Sequence, residues 1–430
     1  MRFRFKPISS ITRGPRDTSM ELLRIVAMTM VLVVHADFVA LGVPQPSFGN
    51  FGEGLDTLLR VVFEMASLVC VNVFILISGW YTIKPSLRGF ISFIFQVLFF
   101  LPGVYLVSLL FGNGFSLDKL AACFCLSESQ WFIKAYVALY LIAPLLNMFA
   151  EKATEGQLRL TVILFYVYQT VWGFLAPNPS VAGGYSVFSF MGLYLLARYM
   201  RLYYSGVRHR SWLVLYGVMT LLCVVAFFTF PETIMVVSYA NPLVVVGALA
   251  LTMYFTGLKV KVNRWVNFLA ASSFAAFLFH HSPAMMNHYI DAVRRTYEMT
   301  PGIFALFTLA ILIIFFYLAA VVLDQGRIWL WNKTGDRVTE AVRRAFRRLT
   351  DPSLLRDTKL TMPVKMLRLP RLKLKMPRFK FSLPSALRRG TPPPASEKPQ
   401  PSPDTGNVDI FEAVRRRLPR ERSRKKKRRR

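Results

Sequence analysis

The chain has 430 residues, 54% of them hydrophobic, with 53 Lys or Arg against 23 Asp or Glu, properties that do not share one soluble surface. They separate along the chain. Residues 325–430 carry 31 basic and 9 acidic residues, net +22, and the first 324 carry 22 and 14, net +8. A single soluble globular domain is thereby excluded, and the chain reads as a membrane body with a basic cytosolic-type tail.

The first 17 residues form a basic N-terminal segment without an apolar core, and no small-residue cleavage site follows the first apolar run. A cleavable signal peptide is therefore not expected. Apolar runs then recur near 20–41, 58–80, 89–111, 131–150, 158–176, 186–200, 211–230, 238–257, 266–287 and 302–324. Most approach the roughly 20 residues that cross a bilayer as a helix, so ten transmembrane helices are predicted. Basic residues alternate between the loops: Arg2 to Arg16, then none, then Lys84 and Arg88, then Lys119 beside two acids, then Lys152 and Arg159. The pattern continues with none, with Arg198 to Arg210, with Glu232 alone, and with Lys259 to Arg264. Cytoplasmic loops gather Lys and Arg, so both termini are expected in the cytoplasm. Arg294 and Arg295 in the last outer loop fit this least well.

The first span carries Arg24 and His35. Eleven helical steps of about 100° make three turns plus about 20°, which puts both side chains on one face about 16 Å apart. Ionisable residues inside a membrane are costly and usually face a protein interior or a water-filled cavity, so the pair marks a candidate site. With the topology above, His35, Glu64, Tyr136 and His280 fall at similar outer-leaflet depths, with Trp131 next to Tyr136. Arg24, Ser78, Lys84 and Arg88 fall near the inner face. Structural readings stand beside the functional one: interhelical glue for His280 or Glu64, aromatic-belt anchoring for Trp131 and Tyr136, and snorkelling for Arg24. Ser78-Gly79 alone reads equally as a helix end with a flexible glycine. Cys70 and Cys223 lie in apolar segments, Cys123 and Cys125 are close in sequence, and none has the neighbours a metal site needs.

At these residues the chain resembles the acyltransferase-3 family of integral membrane acyltransferases. Glu21-Leu-Leu-Arg24, ten intervening residues and His35 match its first-span pattern. Val71-Asn72-Val-Phe74-Ile-Leu-Ile-Ser78-Gly79 resembles its Ser-Gly segment, and Trp131 to Tyr136 through Pro144 to Asn147 resembles its fourth span. Gly184-Tyr185, Tyr194, Arg198-Tyr199 and Phe277-Leu-Phe-His280 match later signatures, with Phe277 where the family more often has tyrosine. The resemblance covers about residues 18–330, which would make that stretch the acyltransferase domain, all-α and membrane-embedded, and residues 331–430 a cytoplasmic tail.

The resemblance implies transfer of an acyl group, acetyl above all, from cytoplasmic acyl-CoA to a sugar hydroxyl of a lipid-linked or growing surface glycan at a bacterial inner membrane. On that reading His35 is catalytic base or transient acyl carrier, oriented by Glu64 in preference to Asp37. Arg24, Ser78, Lys84 and Arg88 receive the donor, and Trp131, Tyr136 and His280 line the acceptor pocket. Acyl-CoA enters as a substrate; no tightly bound cofactor, metal or nucleic-acid partner is expected. A different class remains open on the residues alone, a transporter or flippase using its buried His and Glu for proton coupling. No clear inverted repeat favours it.

In the tail, Pro363, Pro370, Pro377 and Pro384 recur every seven residues, with basic and apolar residues largely alternating between them. Proline at that period forbids a continuous helix, and alternation along an extended chain separates charge from apolar groups. Such a segment suits the anionic inner leaflet, where each basic residue contributes about 1 kcal/mol. Residues 337–349 read as a short basic amphipathic helix, and 390–408 as a disordered Pro/Ser/Gly stretch.

Overall fold

A computed structural model describes residues 17–44, 55–112, 114–176, 181–204, 209–229, 233–300 and 302–349. The first 16 residues and the tail from 350 onward, with the proline repeat and the 390–408 stretch, lie outside the described residues.

Every regular element among the described residues is helical. α1 (Thr18–Val34) runs into a π-helix (His35–Leu41), and α2 (Leu55–Ser67) and α3 (Cys70–Tyr81) follow. Next come α4 (Leu87–Leu110), α5 (Leu117–Cys123), α6 (Trp131–Lys152) and α7 (Glu155–Gln169), the last continued by a π turn (Thr170–Leu175). α8 (Val187–Tyr203), α9 (His209–Thr229), the single turn α10 (Thr233–Val236) and α11 (Pro242–Thr256) lead to α12 (Arg264–Ala271) and α13 (Ser273–His280). α14 (Met286–Met299) and α15 (Phe304–Leu349) complete the fold. Residues up to Asp336 form one unit; Arg337–Leu349 belong to a second, a basic helical segment in which Arg343 pairs with Glu340.

Among the described residues, seven segments are long and apolar enough to cross a membrane: Thr18–Leu41, Thr57–Tyr81, Leu87–Leu110, Leu117–Lys152, Glu155–Leu175, Arg210–Thr229 and Phe304–Arg348. The other three predicted spans are shorter or broken. α8 has 17 residues and α11 has 15, and the run expected over 266–287 divides at Ser272 into two eight-residue helices. The reason lies in their surroundings. α8 packs between α3, α6 and α7, and α11 lies against α9 and α3. Helices enclosed by protein need not match the bilayer, and a break at membrane depth is tolerated where protein satisfies the freed polar groups. At this break Ser272 Oγ donates to Asp324 Oδ2 at 2.8 Å, Ser273 Oγ lies 2.9 Å from the Tyr317 hydroxyl, and Asp324 is itself held by Arg327.

The outer helices show the opposite pattern. On α15, Phe307, Ile311, Ile314, Phe315, Leu318 and Val322 are exposed at helical spacing, as are Leu160, Ile163, Leu164 and Val167 on α7. Aliphatic stripes this long are untenable against water and suit lipid. Arg294 and Arg295, expected in a loop, lie on α14. Arg294 Nε donates to the Ala40 carbonyl at 2.7 Å, so one of these positive charges closes the C-terminal end of the first span's π turn.

Close approach of α3 and α8 depends on Gly79. A Cβ there would lie 2.7 Å from the Tyr194 carbonyl oxygen and 2.8 Å from Ala197 Cβ. Gly79 is thus a contact glycine inside α3, which runs two residues past it, rather than a flexible end.

Candidate active site

A cavity of about 430 Å³ opens between α1, α3, α4, α6 and the broken α12–α13 pair. Arg24 and His35 both line it, with Met28, Val31 and Val34 between them on the same face of α1. The face read from an eleven-residue spacing is therefore a cavity wall. Ser78, Trp131 and Tyr136 line it too, together with a mostly apolar and aromatic set that includes Phe74, Phe93, Phe132 and Phe277. Small-molecule sites commonly take this form, an apolar cleft of roughly 300–1,000 Å³ with a few placed polar groups.

At one end stand three histidines. His35 Nδ1 lies 2.8 Å from His280 Nε2, and His280 Nδ1 lies 2.6 Å from the Ala276 carbonyl oxygen one turn back on α13. The His281 ring stacks on His35, centroids 5.2 Å apart, and its Nε2 donates to the Ser129 carbonyl at 3.0 Å. His281 Nδ1 is buried without a hydrogen-bond partner. His280 is fully buried behind His35, whereas His281 lines the cavity. The break at Ser272 allows this, because α13 starts afresh and presents adjacent histidines to one side of α1.

The ring partner of His35 is thus His280, not Glu64 or Asp37. Asp37 is turned away and paired with Arg60, whose Nε donates to its Oδ1 at 2.7 Å and whose Nη2 donates to the Gly42 carbonyl at 2.8 Å. The π-helix beginning at His35 sets these directions by adding a residue to each hydrogen-bonded loop, as single π turns at functional sites often do. Glu64 is buried beside the Asp37–Arg60 pair, near the Phe38 amide, with Oε2 unpartnered, and it does not line the cavity. Depth counting had matched its level to that of His35 but carried no information about its direction.

At the other end, Arg24 Nη1 donates to Glu21 Oε1 at 2.5 Å, and its guanidinium lies 5.9 Å from the Tyr81 ring. Glu21 lines the cavity, and its Oε2 is buried without a partner. Ser78 Oγ donates to the Phe74 carbonyl at 2.9 Å and sits 3.4 Å from the Tyr136 hydroxyl. Tyr136 therefore stands at the level of Ser78 rather than that of His35. Tyr136 lies in the 22-residue α6, and a depth counted along that helix locates its backbone, not the hydroxyl that meets Ser78. Trp131 meets Tyr185 edge to face at 4.4 Å, so at least part of its ring is occupied by protein.

Lys84 and Arg88 stand outside the cavity lining. Lys84 is exposed in the turn after α3. That turn is tied down by Ile83 N and Ser86 N donating to the Tyr194 and Tyr140 hydroxyls, both at 2.9 Å. Arg88 is exposed and pairs with Asp336 at 2.6 Å. Sequence reasoning passed over Glu21 and His281. A carboxylate one turn before Arg24, and a second histidine next to His280, were the available signals.

The fold and this cavity define a multi-pass membrane protein whose polar site is built inside the helical bundle. The Acyltransferase domain family model matches residues 17–323, and the chain belongs to that family, acyltransferase-3. It is accordingly a membrane acyltransferase. No curated protein and no solved structure matches it.

Proposed function

We propose that the chain transfers an acyl group, acetyl in the simplest case, from cytoplasmic acyl-CoA to a hydroxyl of a surface-glycan sugar at a bacterial inner membrane. The observation that carries this reading is that Arg24 and His35 line one cavity. Its aromatic and aliphatic wall suits an extended pantetheine arm, and its volume leaves the nucleotide outside, at the Arg24 end. A guanidinium there suits phosphate oxygens, with Lys84 and Arg88 outside the cavity as further positive charge. Ser78 flanks the arm, and Tyr136 and Trp131 supply hydroxyl and ring contacts.

His35 carries the chemistry. As base it takes the proton of the acceptor hydroxyl while the oxygen forms a bond to the thioester carbon. The C–S bond then breaks, and the thiolate of CoA leaves with that proton from His35. As nucleophile its free nitrogen attacks the thioester carbon and expels the thiolate, leaving an acyl-imidazolium; the acceptor oxygen then displaces the imidazole, and the acceptor proton passes to the thiolate. Glu64 is given no step in either route, since it does not line the cavity.

The test uses membrane vesicles with labelled acetyl-CoA, following label in surface glycan. His35→Ala should abolish transfer while membrane insertion stays normal, and full activity in that variant overturns the role of His35. Label trapped on the protein would select the acyl-imidazole route.

A further inference from the structure

We infer that His280 is a positioning residue that fixes the tautomer of His35, so that His35 presents Nε2 as its basic nitrogen to the cavity. The inference rests on the role proposed for His35 above.

The argument starts from the carbonyl of Ala276, which only accepts hydrogen bonds. At 2.6 Å from His280 Nδ1 it requires a proton on that nitrogen. A neutral imidazole holds one N–H, so His280 Nε2 is then an acceptor. His35 Nδ1, 2.8 Å away, must donate to it. The single N–H of a neutral His35 is thereby spent on His280, and the lone pair is left on Nε2 of a ring that lines the cavity. The opposite assignment needs His280 doubly protonated. Among the described residues no carboxylate bonds to His280, which is fully buried, and an unpaired buried cation is strongly disfavoured.

The same chain serves the reaction. When Nε2 takes the acceptor proton, or forms a bond to the acyl carbon, positive charge spreads over the ring and the Nδ1–H bond to His280 becomes charge-assisted. His280 strengthens its hold as the charge develops, without itself exchanging a proton. His281 stands outside the chain, because its Nε2–H is committed to Ser129.

Two variants separate this from simple packing. His280→Phe keeps a ring and removes the acceptor; His280→Gln returns an acceptor oxygen toward His35 and an N–H toward Ala276. With His280→Phe, kcat should fall by about 10²–10⁴-fold, the scale on which a wrong tautomer lowers histidine catalysis, with KM for acyl-CoA nearly unchanged. His280→Gln should recover at least about tenfold of that loss, since a positioned proton acceptor restores part of the effect. A second measurement needs no variant: nitrogen-15 spectra of histidine-labelled wild-type protein in lipid nanodiscs should show neutral His35 protonated at Nδ1. Protonation at Nε2 in wild type, or a His280→Phe enzyme with kcat within a few fold of normal, overturns the inference. Should His35→Ala also remain active, the role of His35 itself fails; should His35→Ala be dead while His280→Phe is active, only the tautomer argument fails.

Discussion

Asp37 and Arg60 form an ion pair nearly closed to solvent, with side chains 9% and 10% exposed. Replacing Asp37 by Leu leaves the guanidinium buried with the Gly42 carbonyl as its remaining described hydrogen-bond partner. Breaking such a pair from one side costs about 3–5 kcal/mol when the surviving charge is left uncompensated, and the buried Glu64 beside Arg60 puts Asp37→Leu at the low end of that range. Arg60→Met should cost more, since it also removes the hydrogen bond to Gly42 at the end of the π turn, worth about another 1 kcal/mol. It further leaves Asp37 beside the buried Glu64. The double variant Asp37→Leu/Arg60→Met removes both charges together and should lie within about 2 kcal/mol of the parent, because apolar replacement of a whole buried pair is often close to neutral. At roughly 2 °C or more per kcal/mol for a large domain, each single variant should melt on the order of 10 °C lower in a fixed detergent. The double variant should recover most of that loss. The readout is the fraction remaining monodisperse after heating, for all four proteins under one protocol. If the double variant falls as far as the two singles added together, the charges are not coupled, and the account of the first span's C-terminal end is wrong.

Two further perturbations test other parts of the site. Gly79→Leu should prevent α3 from seating on α8, since even a Cβ meets backbone oxygen at 2.7 Å, and should lower both folded yield and activity. Normal yield of that variant would refute the contact role. Arg24→Ala should raise the apparent KM for acyl-CoA, whereas Arg88→Ala should leave stability within about 1 kcal/mol, as exposed ion pairs contribute little. Equal KM effects for the two arginines would move donor recognition away from the cavity.

The face shared by Arg24 and His35 was legible in the sequence because a helix repeats every 3.6 residues whatever surrounds it. The partner of His35 was not. It comes from a residue 245 positions away, on a helix whose restart at Ser272 has no periodic signal, and an unbroken span over 266–287 would have aimed His280 differently. Depth counting is silent in a related way at Tyr136 and Glu64, since it says nothing about which way a side chain points. The counting of spans separates on the same ground. Helices facing lipid carry the full length and an apolar outer stripe, and helices enclosed by others, α8 and α11, are free to be short.

The buried charges around the site follow one rule, and it bears on why the proposed base is a histidine rather than a carboxylate. Glu21 is committed to Arg24, Asp37 to Arg60, and Asp324 to Arg327. Each is a local pair, which avoids an isolated ion in a low-dielectric interior. Glu64 stands apart: it is buried beside Asp37 and Arg60 and does not line the cavity. Among the described residues, what faces the cavity at the end opposite Arg24 is the imidazole pair His35 and His281. A base of that kind sits in the membrane at little electrostatic cost between turnovers and acquires charge only while the acyl group moves. On the proposed route, no carboxylate among the described residues bonds to His35, so its imidazolium would pass the proton to the departing thiolate.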